Sequence, residues 1–221
     1  MLKDIRIKLN GYYKYFNHKL LVHRNNIYRK KIRKKIKNID FTIISNNCWG
    51  GGIYEDLYLP YKTPTVGLFF FSHCYINFIK DIKGNLSEEL YFTNFSKYKK
   101  ANTLRENNYY PIGIIKNTIE IHFLHYKTEE EARAKWERRK ERVNLNNILL
   151  SFTDNEPYTM EELNYFDQLP YKKVFFSSKK IKNIYSLVWL KKFKNNNTIG
   201  DIYTNPQDYR KYFNVIKWLN S

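Results

Sequence analysis

Cysteine is scarce, with two residues in 221. That excludes a disulfide scaffold and makes a reducing compartment the default expectation. Long apolar runs are missing too. No stretch reaches about 18 apolar residues, so no segment reads as a membrane-spanning helix. The run Gly67–Phe71 is too short for a signal-peptide core and lies in mid-chain. There is no internal repeat, no GxGxxG, and no phosphate loop ending in Gly-Lys-Ser/Thr. Acid is in short supply: 21 Asp+Glu stand against 39 Lys+Arg, for a formal net charge of +18. What is present is enough for a core. Hydrophobic residues make 43% and charged residues 27%, which describes a soluble globular chain rather than a disordered one. The length suits one domain with an appendage. Abundant Lys, Asn, Ile, Tyr and Phe together follow from AT-rich coding, so the 20 Tyr are not by themselves a binding signal.

The positive charge is unevenly spread. Residues 1–38 hold 13 basic residues and one acid, Asp4, a net of +12. Ile5, Leu9, Tyr12, Tyr13, Phe16 and Leu20 recur at helical spacing, and Ile32 and Ile36 continue it. The segment reads as a basic amphipathic arm of one or two short helices. Such an arm suits an anionic membrane surface, where each Lys or Arg contributes about 1 kcal/mol. Phosphate neutralisation on nucleic acid is the weaker option, because no recognition motif accompanies the charge. A merely solvated appendage is the plain alternative.

Residues 39–221 alternate strands and helices. Phe41–Ser45, Thr65–Phe71, Ile148–Thr153, Val174–Ser177 and Tyr185–Leu190 read as strands. Ile112–Lys116 and Ile119–Tyr126 read as a hairpin closed at Asn117–Thr118. Helices are expected at Ile53–Leu59, Cys74–Ile82, from Thr128 to about Val143, from the Thr159–Glu162 capping box to Leu169, and over Pro206–Leu219. Asn46–Gly52 reads as a loop and Lys97–Asn108 as a surface excursion. The expected fold is α/β: three-layer and Rossmann-like, with a mostly parallel sheet of about six strands.

Ligands of such sheets bind beyond the carboxyl ends of the strands. Asn46, Asn47 and Cys48 follow the first strand, His125 and Tyr126 the HFLHY strand, and Asp154 the LLSFT strand. Cys48 before a helix is a candidate nucleophile, with His125 (or His73) as base and Asp154 to orient it. Gly50, Gly51 and Gly52 suit close approach of a phosphate or carboxylate, or a tight turn. The helix from Thr128 carries four of the six Arg of residues 39–221. Arg138, Arg139 and Arg142 lie in its basic stripe, with Lys135, and guanidinium forks suit anionic donors. A solvated face with pairs such as Glu131–Lys135 is the plain reading. His122 and His125 are three apart on a strand, so they face opposite ways and no metal site is expected.

The segments DFTIISNNCWGGGIYEDLYLPYKTPTVGLFF (40–70), YYPIG (109–113), IEIHFLHYKTEEEARAKWERRKERV (119–143), SFTD (151–154) and FDQLPYKKVFF (166–176) resemble one bacterial family of unknown function. The likeness runs over roughly residues 40–220. Members of that family are associated with exopolysaccharide or capsule biosynthesis. The resemblance implies a cytoplasmic protein, peripheral at the inner membrane face, acting on a glycan or lipid-linked glycan precursor. Joined to the residues above, it suggests an acyl or glycosyl transferase using an activated donor such as acyl-CoA or a nucleotide sugar. The alternative is a non-catalytic module that binds membrane or nucleic acid through the arm.

Overall fold

A computed structural model describes the backbone of residues 2–221 and the side chains from Lys19 onward. The chain opens with one long helix, α1 (Leu2–Lys35). The apolar positions Ile5 to Phe16 lie outside the described side chains. Beyond them, Leu20 is exposed, whereas Ile32 is buried in the core. The second half of α1 is therefore part of the packed molecule.

The main sheet has four parallel strands, in the order β1 (Thr42–Ser45), β5 (Ile148–Thr153), β6 (Lys172–Ser177), β7 (Leu187–Trp189). Three further strands, β2 (Tyr91–Thr93), β3 (Ile112–Ile115) and β4 (Ile119–His122), form a separate antiparallel sheet. The expectation of about six mostly parallel strands is corrected to four. The hairpin accounts for two of the difference, since strands joined by the short loop 116–118 must run antiparallel. Lys116 and Asn117 hold its loop at φ 49° and 56°. The Thr65–Phe71 run is a strand only in part. Phe69 makes one antiparallel bridge to His122, and Phe70 N donates to Asn46 O at 2.9 Å. It thereby stitches the small sheet to the end of β1.

Alternation along the strands divides the core in two. Ile44, Leu150, Phe152 and Phe175 face a cluster containing Tyr75 and Phe78 of α3 (Ser72–Lys80), Trp136 of α6 (Glu129–Lys140) and Phe166 of α7 (Met160–Gln168). Ile43, Leu149, Val174 and Phe176 face a second cluster containing Ile32, Trp49 and Ile53 of α2 (Trp49–Leu57), Tyr209 of α8 (Gln207–Arg210) and Trp218 of α9 (Val215–Asn220). The sheet is thus covered on both faces. The expected terminal helix is two short helices, α8 and α9. The expected surface excursion contains a helix, α5 (Lys99–Asn107), and α4 (Ile82–Ser87) continues the path of α3.

β1 lies at the sheet edge, where backbone donors need partners. Ile43 N donates to Tyr54 Oη at 3.1 Å and Ser45 N to Thr65 Oγ1 at 3.2 Å. Side chains of α2 and of the following loop close the edge. The same contacts fix α2 against β1 and set the position of everything after Ser45.

Candidate functional site

The chain leaves β1 through two asparagines that act as clamps. Asn46 Nδ2 donates to Thr153 O, and its Oδ1 accepts from Thr153 Oγ1 at 3.2 Å. Asn47 Nδ2 donates to Thr153 Oγ1 at 3.0 Å, while its Oδ1 accepts from Trp49 N at 3.0 Å. These bonds tie the ends of β1 and β5 together and satisfy one donor at the start of α2. The three glycines then lie inside α2 rather than in a loop. Added β-carbons on Gly50 would sit 3.0 Å from both Ile43 Cγ2 and Ser45 Cβ, and on Gly52 within 2.3 Å of the Tyr203 ring. Close packing of helix on strand and ring explains two of the three glycines.

Beside α2 is a hollow of about 300 Å³, lined by Cys48, Gly51, Gly52, Glu55, Val66, Gly67, His125, Tyr126, Lys135, Arg139 and Tyr203. Seven of the residues singled out in the sequence meet there: Cys48, Gly51, Gly52, His125, Tyr126, Lys135 and Arg139. Gly67 makes the meeting possible. Its φ is 70°, His125 N donates to its carbonyl at 3.1 Å, and a side chain there would press on Tyr126 and His125. Arg139 is buried, donates to Val66 O at 3.3 Å and to the Tyr126 hydroxyl, and has Tyr61 5.1 Å from its guanidinium carbon. Lys135 Nζ pairs with Glu131 at 2.6 Å and lies 5.3 Å from the Tyr126 ring centroid.

Cys48 is half-buried, with Sγ 3.9 Å from Leu68 O. Burial, then the carboxylates of Asp201 and Glu55, push its thiol up to about 11. A helix N-terminus alone would lower it, but here desolvation wins. The Glu55 carboxylate accepts from the Tyr61 hydroxyl at 2.7 Å and from the Tyr203 hydroxyl. Burial and that carboxylate push the Tyr61 phenol up to about 12, so it stays a donor. Burial raises Tyr203 likewise.

Other residues lie apart. Asp154 is buried among its own partners: Oδ2 accepts from Ser177 Oγ, Ser178 N and Ser178 Oγ at 2.7–2.9 Å, and Oδ1 from Ile199 N at 2.8 Å. It faces neither His125 nor the hollow's lining. Arg138 and Arg142 are exposed. His73 lies on α3, 3.0 Å from Glu162, in a different groove of about 730 Å³ between α3 and α7. His122 is fully buried against Phe69. Among the described residues, no group of three or more His, Cys, Asp or Glu is placed to hold a metal ion.

Sequence reasoning missed Glu55, Tyr61 and Tyr203. Glu55 had a usable signal. Cys48, Gly51, Gly52 and Glu55 are spaced 3, 4 and 7 apart, one face of a helix, once α2 is known to begin at Trp49. Tyr203 had none, because it reaches the site from about 150 residues away.

Fold and hollow together define an α/β protein with its cleft beyond the first strand of a parallel sheet. Residues 18–220 match a family described as a domain of unknown function, DUF1919, and the chain belongs to that family. The match takes in the second half of α1. A Haemophilus influenzae protein described as uncharacterized is 33% identical over 196 residues, covering 86% of this chain and 89% of that relative. The likeness therefore runs over most of both chains.

Proposed function

We propose that the protein is a transferase acting on an activated, anionic sugar precursor in exopolysaccharide or capsule assembly, and that glycosyl transfer is favoured over acyl transfer. The observation that carries this reading is the convergence of Glu55, His125, Tyr126, Lys135 and Arg139 on one hollow. Its volume is at the lower end for ligand sites, about 300 Å³. That suits one sugar ring, with the rest of a donor extending outside. The Tyr61 and Tyr203 hydroxyls hold the Glu55 carboxylate, and Tyr126 lines the same hollow, a wall apolar in body and polar at its tips that suits a sugar. Glu55, oriented by two protonated tyrosines, is placed to take a proton from an acceptor hydroxyl, with His125 as the second base. Lys135 and Arg139 supply positive charge for the donor. Acyl transfer through Cys48 would need a thiolate, and burial opposes one.

Titration calorimetry of the full chain with nucleotide sugars and with acyl-CoA tests the reading. A sugar nucleotide is expected to bind, and Glu55→Gln is expected to abolish turnover with little loss of binding. Saturable binding of acyl-CoA with acylation of Cys48, and no response to sugar nucleotides, would replace glycosyl by acyl transfer.

The arm is proposed to hold the protein at the inner membrane face. Leu20, Val22 and Ile27 are exposed beside Lys30, Lys31 and Lys34, an arrangement that suits anionic lipid. Sedimentation with anionic vesicles should fall when Lys30, Lys31 and Lys34 are replaced by Glu. Removing 1–38 would be a poor test, because Ile32 and Arg29 belong to the folded body.

A further inference from the structure

Residues 30–37 hold six Lys and Arg and no acid, and residues 209–221 hold three and none. The two segments meet along a groove of about 420 Å³ between α1 and α9. Helical spacing sorts the charges of α1. Arg29 and Arg33 turn toward α2 and the residue after it: Arg29 pairs with Asp56 at 2.9 Å, and the Arg33 guanidinium carbon lies 4.4 Å from the Tyr58 ring centroid. Lys31 and Lys35, offset by two positions, line the groove instead, and Lys217 of α9 lines it with them. All three are exposed, and among the described residues none of their ammonium groups pairs with a carboxylate. No acidic side chain lines the groove.

The walls of the groove are tied together. Asn220 Oδ1 accepts from Lys37 N at 2.9 Å, and its Nδ2 donates to Lys35 O at 2.8 Å. Arg210 pairs with Asp56 of α2 at 2.5 Å and lies 3.7 Å from the Tyr28 ring centroid, which holds α8 against α1. The apolar lining is sunk below the lysines: Ile32 and Val215 are buried, Phe213 and Ile216 half-buried. Exposed cations over apolar carbon match an anion carried on an apolar body. Leu20 and Ile27 extend the same match. With Lys31 and Lys35 they recur at spacings of 7, 4 and 4, one stripe of α1, and both are exposed. A nucleic acid would satisfy the charge but leave the apolar half of this surface without a partner. An anionic lipid leaflet satisfies both halves.

We propose that this groove is a lipid-headgroup site, taking the phosphate of one anionic phospholipid among Lys31, Lys35 and Lys217, with the glycerol and first methylenes against Phe213 and Ile216. The entry of Leu20 and Ile27 into a leaflet rests on the membrane placement proposed above, but the headgroup site does not. Dihexanoyl phosphatidylglycerol, titrated into the full chain below its micelle-forming concentration, tests the site without a membrane. Saturable binding at millimolar concentration is expected. Lys35→Ala and Lys217→Ala should each weaken it about five-fold, and the double variant about twenty-fold. Lys83→Ala, on α4 at the opposite face of the sheet, should leave it unchanged. Phosphatidylcholine of the same chain length should bind more weakly, for want of net charge. No saturable binding, or binding that ignores both Lys35 and Lys217, would overturn the site. Inorganic phosphate or an oligonucleotide that binds as tightly and obeys the same variants would overturn the lipid assignment. Vesicles of phosphatidylcholine and phosphatidylglycerol separate this site from the membrane placement. Sedimentation that ignores Lys35→Ala and Lys217→Ala, with no binding of the monomeric lipid, would retire the groove and keep the placement. Monomeric lipid that binds and obeys the variants, with no sedimentation on vesicles, would do the reverse.

Discussion

Two adjacent strands of one parallel sheet end in polar residues, and the two ends do opposite things. Beyond β5, Asp154 has four hydrogen bonds and no open space beside it. Beyond β1, Cys48 and Glu55 line a hollow together with Lys135 and Arg139. Both ends obey the rule that parallel sheets gather polar groups at their carboxyl edge. Only the second leaves bonding capacity for a ligand. The difference is in how much of each group's capacity the protein itself has filled. Asp154 braces the loops after β5 and β6 to the backbone at Ile199, whereas Glu55 is oriented from behind by tyrosines.

Asp154→Ala should break the brace and gives the largest expected effect. It strands the Ser178 and Ile199 amides in a buried site, so a loss of about 3–5 kcal/mol is expected in urea unfolding. Ligand affinity per folded molecule should be unchanged. A stable variant that loses ligand would put Asp154 in the site and erase the contrast.

The glycines sharpen it at the next level. Gly50→Ala should cost about 1–3 kcal/mol, because its β-carbon meets β1 at 3.0 Å and strand and helix cannot both yield. Gly51→Ala, with its nearest neighbour Val66 Cγ1 at 3.4 Å, should cost less than 1 kcal/mol. Gly52→Ala should displace Tyr203 and alter ligand affinity more than stability. Unfolding midpoints and ligand titrations on the three variants distinguish packing from gating.

The sequence made these elements legible to different depths. The capping box at Thr159 is present as expected, and so is the Thr128 cap, whose Oγ1 accepts from Glu131 N at 3.2 Å. Both depend on residues three apart, which local chemistry decides. The run Ile148–Thr153 forms β5 over those same residues, since a short continuous apolar run fits a strand buried on both faces. The glycine run misled because glycine reads as a turn until its neighbours are known. Here β1 and the Tyr203 ring need the space, a tertiary demand that overrides helix propensity. One of the three arginines of the stripe behaved in the same way: Arg139 turns inward to Val66 and Tyr126, but Arg138 and Arg142 point to water. Tyr203 and Arg210 reach α2 from far along the chain, and no local pattern carries that information.

A smaller effect comes from the antiparallel sheet. His122 and Glu120 form a buried pair with Nε2 and Oε2 3.3 Å apart. Burial, only partly opposed by Glu120, holds the His122 pKa below its usual value. Burial pushes Glu120 up, but the nearby His122 ring and hydrogen bonds from Ser96 and Lys97 outweigh it and leave its pKa low. The folded state therefore binds the His122 proton less readily than the unfolded state does. Stability should fall as pH drops from about 6.5 toward the depressed folded value, and should be full above 6.5. Urea midpoints at pH 7.5 and 5.5 should differ in that sense. His122→Phe should flatten the difference, with Ser96 and Lys97 still holding Glu120. An unchanged slope in the variant would assign the pH dependence elsewhere.

The smallest effect is expected where the sequence drew most notice. With the Cys48 thiol pushed up to about 11, about one molecule in a thousand carries the thiolate at pH 8. Native protein should react with a disulfide reagent far more slowly than a free thiol does, and both free cysteines should react at once in urea. Cys48→Ala removes a sulfur that makes one long contact to Leu68 O, so stability should move by less than about 1 kcal/mol. Affinity for a sugar nucleotide should survive, because the charged and aromatic walls remain. Fast labelling of native Cys48, blocked by an acyl donor, would show that a ligand or a movement of Tyr203 lowers the thiol pKa. In that case the thiol, rather than Glu55, would be the reacting group of the hollow.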